Sequence, residues 1–180
     1  MTVRHVTRQA LHILSFVVTL AVMVGLLKVL NWAPGALEPG LMTRYPSIEA
    51  AVSRLGIRKI YVPAYFPESL AWPPAEILAQ SKPYQAVVME FVRARDRQAV
   101  LVISQAANPH FEPDVAIRFH TISETVPLDL RGRKARLEAG MCEDRSACSR
   151  IQWDEGRIRI VLTMKAPSVE LIRIAQSMLH

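Results

Sequence analysis

Cys142 and Cys148 are the only cysteines in the chain, and they flank the segment Glu-Asp-Arg-Ser-Ala. A Cys-x-x-Cys redox pair needs tighter spacing, and a zinc site needs two further ligands that are not nearby in the sequence. Between two predicted strands, in an oxidising compartment, the pair reads as a disulfide pinning a hairpin loop; two free thiols are the alternative. Closing so short a loop stabilises the fold by roughly 2–2.5 kcal/mol on the chain-entropy account.

His110, Glu112 and Asp114 alternate in the segment Asn108–Asp114, with His120 further on. Alternate residues share a side when the chain is extended, so a metal site is conceivable; the plainer reading is a solvated polar loop. Arg131, Arg133, Lys134 and Arg136 make the one basic cluster, around a predicted hairpin tip. Such a cluster either guards a strand edge against unwanted pairing or contacts lipid headgroups or an acidic partner. Tyr61, Tyr65, Phe66 and Trp72 crowd a proline-rich loop. They form either a rigid contact surface for a partner or a cover over one end of the core. The chain has no G-x-S-x-G, H-E-x-x-H, P-loop or G-x-G-x-x-G motif, so the residues point to no catalytic group, metal or cofactor.

These residues need elements to position them. Ile48, Ala51, Val52 and Leu55 fall at helical spacing after Ser47 and before Gly56, which predicts a helix over Ser47–Leu55. Ile57–Pro63 reads as a strand, and the three prolines of Ala64–Pro74 predict a loop. Ala86–Val92 and Ala99–Ser104 are rich in β-branched residues, as central paired strands should be. A strand over Ala116–Ile122, a hairpin turning at Arg131-Gly132-Arg133 and another turning at Asp154-Glu155-Gly156 follow. The stripe Leu171, Ile172, Ala175, Met178 and Leu179, with Ser168 as N-cap, predicts a terminal helix packed on the sheet. The expected class is α+β: a curved antiparallel sheet with a short N-terminal helix and a C-terminal helix, preceded by a single transmembrane helix.

The order of four segments resembles an uncharacterised extracytoplasmic domain family, found at the outer ends of bacterial membrane-bound anti-sigma factors and related envelope proteins. The segments are Pro63-Ala64-Tyr65-Phe66-Pro67-Glu68, Val102-Ile103-Ser104-Gln105, Ile151-Gln152-Trp153 and Glu170-Leu171-Ile172-Arg173-Ile174-Ala175-Gln176-Ser177-Met178. The resemblance implies a binding or sensing module without established catalytic residues. It departs from the family at the N-terminus: an expected cytoplasmic arm of about 10 residues is too short to fold and hold a sigma factor.

That arm rests on the apolar run Leu11–Leu30, whose length of about 20 residues matches a membrane core of ~30 Å. Lys28 and Trp32 are placed as membrane-interface residues, and Thr19, Ala21 and Gly25 as a small-residue face for helix packing. The organisation expected is 1–10 cytoplasmic stub, 11–32 transmembrane anchor, 33–46 linker and 47–180 extracytoplasmic domain. Arg4 and Arg8 before the run place the N-terminus in the cytoplasm and the domain in the periplasm of a bacterial inner membrane. A cleaved signal peptide is the rival, but its apolar core would be about 7–15 residues and would end in a small-x-small site.

The net charge is +6. Arg4, Arg8 and Lys28 against Glu38 leave +2 in the first 40 residues, hence +4 for the domain, too diffuse to imply nucleic acid. The function expected is a non-enzymatic, membrane-anchored accessory or scaffold subunit. Its partners would be membrane lipids and other transmembrane subunits, for example of a respiratory or photosynthetic assembly. The alternative is an envelope ligand- or stress-sensing module working with a separate signalling partner.

The disulfide reading predicts that non-reduced protein resists thiol alkylation and takes up two labels after reduction, measured by intact mass. Two labels without reduction would contradict it.

Overall fold

The computed structural model describes residues 15–28 and 42–179. The chain divides into two compact units, Met1–Pro39 and Gly40–His180. In the first, residues 15–28 form a helix, α1, whose side chains are exposed. At 1.5 Å per residue the described part covers ~21 Å. Among the described residues no helix is long and apolar enough to cross a membrane. This overturns the transmembrane helix in the expected fold class and the single-pass inner-membrane location with a periplasmic domain that was built on it. Thr19, Ala21, Gly25 and Lys28 are all exposed on α1, and the Thr19 hydroxyl donates to the Ser15 carbonyl at 2.8 Å. Trp32, and the segments 1–14 and 29–41, lie outside the described residues.

The second unit is an eight-stranded, wholly antiparallel sheet with two short helices, the structure found in place of an anchored α+β domain. Its elements in order are β1 (Thr43–Arg44), α2 (Ile48–Leu55), β2 (Glu76–Gln80), β3 (Ala86–Val92), β4 (Ala99–Ala106), β5 (Phe119–Leu130), β6 (Arg133–Cys142), β7 (Ala147–Glu155), β8 (Ile158–Met164) and α3 (Ser168–Ser177). The spatial order is β1-β2-β3-β4-β8-β7-β6-β5. Two meanders are therefore joined by β4 and β8, with Leu101–Ala106 paired to Met164–Arg159.

Alternation assigns the side chains to two faces. One face carries Val87, Met89, Phe91, Leu101, Ile103, Ile151, Trp153, Ile160 and Leu162, which form the main core with Leu171, Ile174 and Ala175 of α3. Each fully buried aliphatic here stabilises the fold by about 1.5–3 kcal/mol. The opposite face carries a smaller apolar cluster, Val88, Val102, Cys142 and Cys148, with Ile117 of the connection before β5 packed on it, and toward β6 and β7 it is mainly polar.

α2 begins where expected, with the Ser47 hydroxyl accepting from the Ala50 amide at 3.1 Å. For α3 the N-cap is Pro167 and not Ser168, with no side-chain cap. Residues 57–63, expected as a strand, pair with no strand. Instead, the buried Gln105 side chain bonds both backbone groups of Tyr61: its carbonyl accepts from the amide at 2.8 Å and its amide donates to the carbonyl at 2.5 Å. A side chain has here replaced a ladder partner, which periodicity cannot reveal. Of the strand expected over Ala116–Ile122, Phe119–Ile122 begin the twelve-residue β5, and 116–118 belong to the connection before it.

β5 is an edge strand, and two features guard it. Its pairing with β6 carries irregularities between Phe119 and Thr121 and between Ile122 and Glu124. Pro127 removes a backbone donor from it. The Arg131-Gly132 tip, with both φ angles positive, is the two-residue turn that matches strand twist. Where β5 is irregular its backbone presses on β6 at Gly140: an added Cβ would lie 1.9 Å from the Thr121 carbonyl oxygen. Gly140→Ala is accordingly expected to force β5 from β6 and destabilise the protein by about 2–4 kcal/mol, read by chemical denaturation. An unchanged midpoint would contradict this register.

Candidate functional site: an arginine-lined groove under the crossing loop

The chain leaves β4 at the centre of the sheet and re-enters at the far edge as β5, four strand positions away. At ~4.8 Å per strand this is ~19 Å, and residues 107–118 must cover it across one face. Apolar side chains hold the crossing down: Phe111, Val115 and Ile117 pack on Val88, Val102 and the cysteine pair. Asn108 shapes the entry, its side-chain oxygen accepting from the His110 amide at 2.9 Å. Between this loop and the polar sheet face lies a groove of about 670 Å³.

Four neighbouring strands make its floor, Val102 and Ser104 of β4 lying beside β8, β7 and β6. Arg136 of β6 is opposite Gln152 of β7, which is opposite Val161 of β8; Arg150 is opposite Thr163, and Asp154 is opposite Arg159. The centre of the charge network is Glu138, whose side chain is only 4% exposed. It accepts from Arg150 Nε at 2.6 Å and Nη2 at 2.5 Å, and it contacts Arg136 Nε at 3.1 Å. Burying a carboxylate is costly, and two guanidinium partners offset that cost. The Arg150 guanidinium also lies 5.0 Å from the centre of the Phe119 ring. With the Gln152 amide oriented so that its oxygen faces Arg136, that oxygen accepts from Nε at 2.7 Å. Arg159 grips Asp154 with two bonds, at 2.9 and 3.1 Å, and donates to the Pro109 carbonyl at 3.3 Å, tying the loop to β8. Arg118 pairs with Asp114 within the loop.

The groove gathers some of the sequence candidates and leaves others elsewhere. His110, Glu112 and Asp114 all line the groove, whereas His120 is exposed on β5 and does not. Among the described residues no group of three or more His, Cys, Asp or Glu is arranged to hold a metal ion. The basic cluster separates by strand face. Arg136 enters the groove, and Arg133 pairs with Glu155 on the core side at 2.8 and 3.0 Å. Arg131 donates to the Leu179 carbonyl at 3.1 Å, and Lys134 is exposed. Tyr61, Tyr65 and Phe66 pack on the main core, with Phe66 5.0 Å from the Phe91 ring. The Tyr65 hydroxyl donates to Glu170 at 3.2 Å, and only Trp72 among the four is largely exposed, at 57%. Cys142 and Cys148 are at disulfide distance, with Cα atoms 5.3 Å apart, and are buried beside the loop.

Arg150, Glu138, Gln152 and Arg159 were not singled out from the sequence. Their signal was present as polar residues on every second position: Arg136 and Glu138 in one strand, then Arg150, Gln152 and Asp154 in the next. On a strand whose other face is apolar, such a run marks a polar surface worth inspecting.

The groove offers charged and hydrogen-bonding groups. The titration shifts around the floor arise from ion pairing. Hydrogen bonding to Arg159 holds the Asp154 carboxyl below its ordinary range, and Asp154 in turn raises Arg159. Hydrogen bonding to Arg133 lowers Glu155 in the same way. Comparison of the chain with protein families, curated proteins and solved structures finds no match.

A carboxylate lowered in the folded state contributes stability that is present above its unfolded pKa and lost as pH falls through the folded one. The lowered Asp154 and Glu155, and Asp144, which a hydrogen bond from Lys165 lowers first, should make stability flat from pH ~8 to ~5 and falling below pH ~4. Denaturant midpoints measured across that range check it. A maximum near pH 3 would contradict it.

Proposed function

We propose that this chain is a non-enzymatic binding module that acts as an accessory subunit, engaging a partner protein through the groove face of its sheet. The observation that carries the reading is the pre-paired floor. Arg136, Arg150 and Arg159 are each held by a carboxylate, so a partner meets side chains already oriented and little ordering is left to do on binding. Catalysis would require a nucleophile beside a base, or an acid whose pKa is raised by burial. The carboxylate shift resolved beside this groove, at Asp154, goes the other way, toward permanent charge. The resemblance of the motif order to the extracytoplasmic domain family agrees with the same class of role.

A second reading, a ligand-sensing module with a separate signalling partner, is favoured by one feature. A groove of about 670 Å³ falls within the size range of small-molecule sites. In that reading, the ligand would alter how the crossing loop sits and thereby what the partner contacts.

The accessory reading predicts that the full-length chain, released gently from its native source, migrates on native sizing in a species well above its own 20.2 kDa. Reversal of one groove charge, Arg136→Glu, should dissolve that species, while Trp72→Ala should leave it intact. A lone 20.2 kDa species, or the opposite pattern of variants, would contradict the reading.

A further inference from the structure

We propose that the groove binds a small monocarboxylate with an apolar body, its carboxylate on Arg136 and Arg150 and its body against the crossing loop. The inference rests on the reading of this groove as a binding face, and it adds the chemistry of the ligand.

The charge balance of the floor comes first. On the floor alone, Arg136, Arg150 and Arg159 face two carboxylates, Glu138 and Asp154, which leaves one positive charge in excess there; with Arg118, Glu112, Asp114 and Glu143 of the loop side the whole groove has four cations against five carboxylates, so an anion is confined to the floor. The charge of Arg159 is paired by Asp154 alone, with a third bond to the Pro109 carbonyl, which assigns the excess to the Arg136–Glu138–Arg150 group. A guanidinium has five N–H donors, and Glu138 uses only two from Arg150. Two guanidinium groups sharing one buried carboxylate retain donors and charge for a second carboxylate, and planar bidentate pairing suits that partner well.

The opposite rim limits what kind of anion enters. Glu112 and Glu143 line it, and Arg118 there is already paired with Asp114. A polyanion such as a nucleic acid or a polyphosphate would bring further charge against these acids, whereas a single carboxylate can seat on the floor alone. The body of the ligand has a place as well. Val102, Val161, Ile117, Phe111 and Phe119 contribute apolar surface to the same groove. This combination, a few fixed polar groups within apolar walls, is the usual make-up of an organic ligand site.

The test is titration of the isotopically labelled full-length chain with sodium benzoate, sodium hexanoate, benzamide and sodium pyrophosphate, followed by amide shift mapping and calorimetry. Saturable shifts at Arg136, Arg150, Gln152 and Phe111 with benzoate or hexanoate are expected, with binding at least tenfold weaker for benzamide and for pyrophosphate. Arg136→Gln should weaken benzoate binding about tenfold, and Arg136→Lys should restore part of it. Arg136→Gln removes one of the two partners of buried Glu138 and should lower the unfolding midpoint, whereas Arg136→Lys keeps the charge and should lower it less; the shift map of the wild-type chain, which needs neither variant, decides the matter. Benzamide binding as tightly as benzoate in the groove would overturn the carboxylate and leave the groove a binding face. Tighter pyrophosphate binding would overturn the single-charge argument. Absence of any saturable groove shift would overturn the inference, while native sizing judges the partner-binding role separately.

Discussion

Leu101–Ala106 of β4 pair with β8, the last strand of the chain, and not with β5, the next one. That closure forces the second meander to start at the far edge and wind back, so a loop must cross the width of four strand positions on one face. A helix laid on a sheet buries its apolar stripe along its whole length, as α3 does on the other face. A single extended crossing cannot cover that much. It packs only through Phe111, Val115 and Ile117 and leaves the strands beside it open. The groove is a consequence of the strand order.

The two faces then follow different rules. On the α3 face, apolar side chains exclude water and supply most of the stability. On the groove face, β6 and β7 place polar residues, most of them charged, on every second position and β8 adds Arg159; Arg136, Glu138 and Arg150 pair with one another, and Arg159 with Asp154. Glu138 is the one deeply buried acid of that network, and the paired Arg136 and Arg150 make its burial tolerable. The cysteine pair fixes the β6–β7 hairpin next to the point where the loop joins β5, with Cys142 opposite Phe119. Topology, ion pairing and the hairpin staple all bear on the same small region.

Much of the strand content was legible from local pattern. The β-branched runs of β3 and β4, the Arg131-Gly132 turn and the stripe of α3 all carry their signal within a few residues. What was not legible depends on distant partners. Residues 57–63 have strand-like composition, but the side chain of Gln105 takes up the backbone groups of Tyr61. The basic cluster reads as one feature in the sequence and as separate ones in the fold, because a strand sends neighbours to opposite faces. The apolar run that suggested a membrane span contains a described helix of only 15–28. For the site, His110, Glu112 and Asp114 could be found by residue type, yet Arg150 and Glu138 could not. Their importance comes from the strand order, which no local window contains.

The account stands or falls on which face a partner covers. Hydroxyl-radical footprinting of the full-length chain, alone and within its native assembly, compares the two faces in one experiment. It should show protection in the assembly at Phe111 and Phe119, with Tyr65 and Trp72 labelled as in the free chain. Protection confined to Trp72 and the α3 side, with the groove aromatics unchanged, would contradict it.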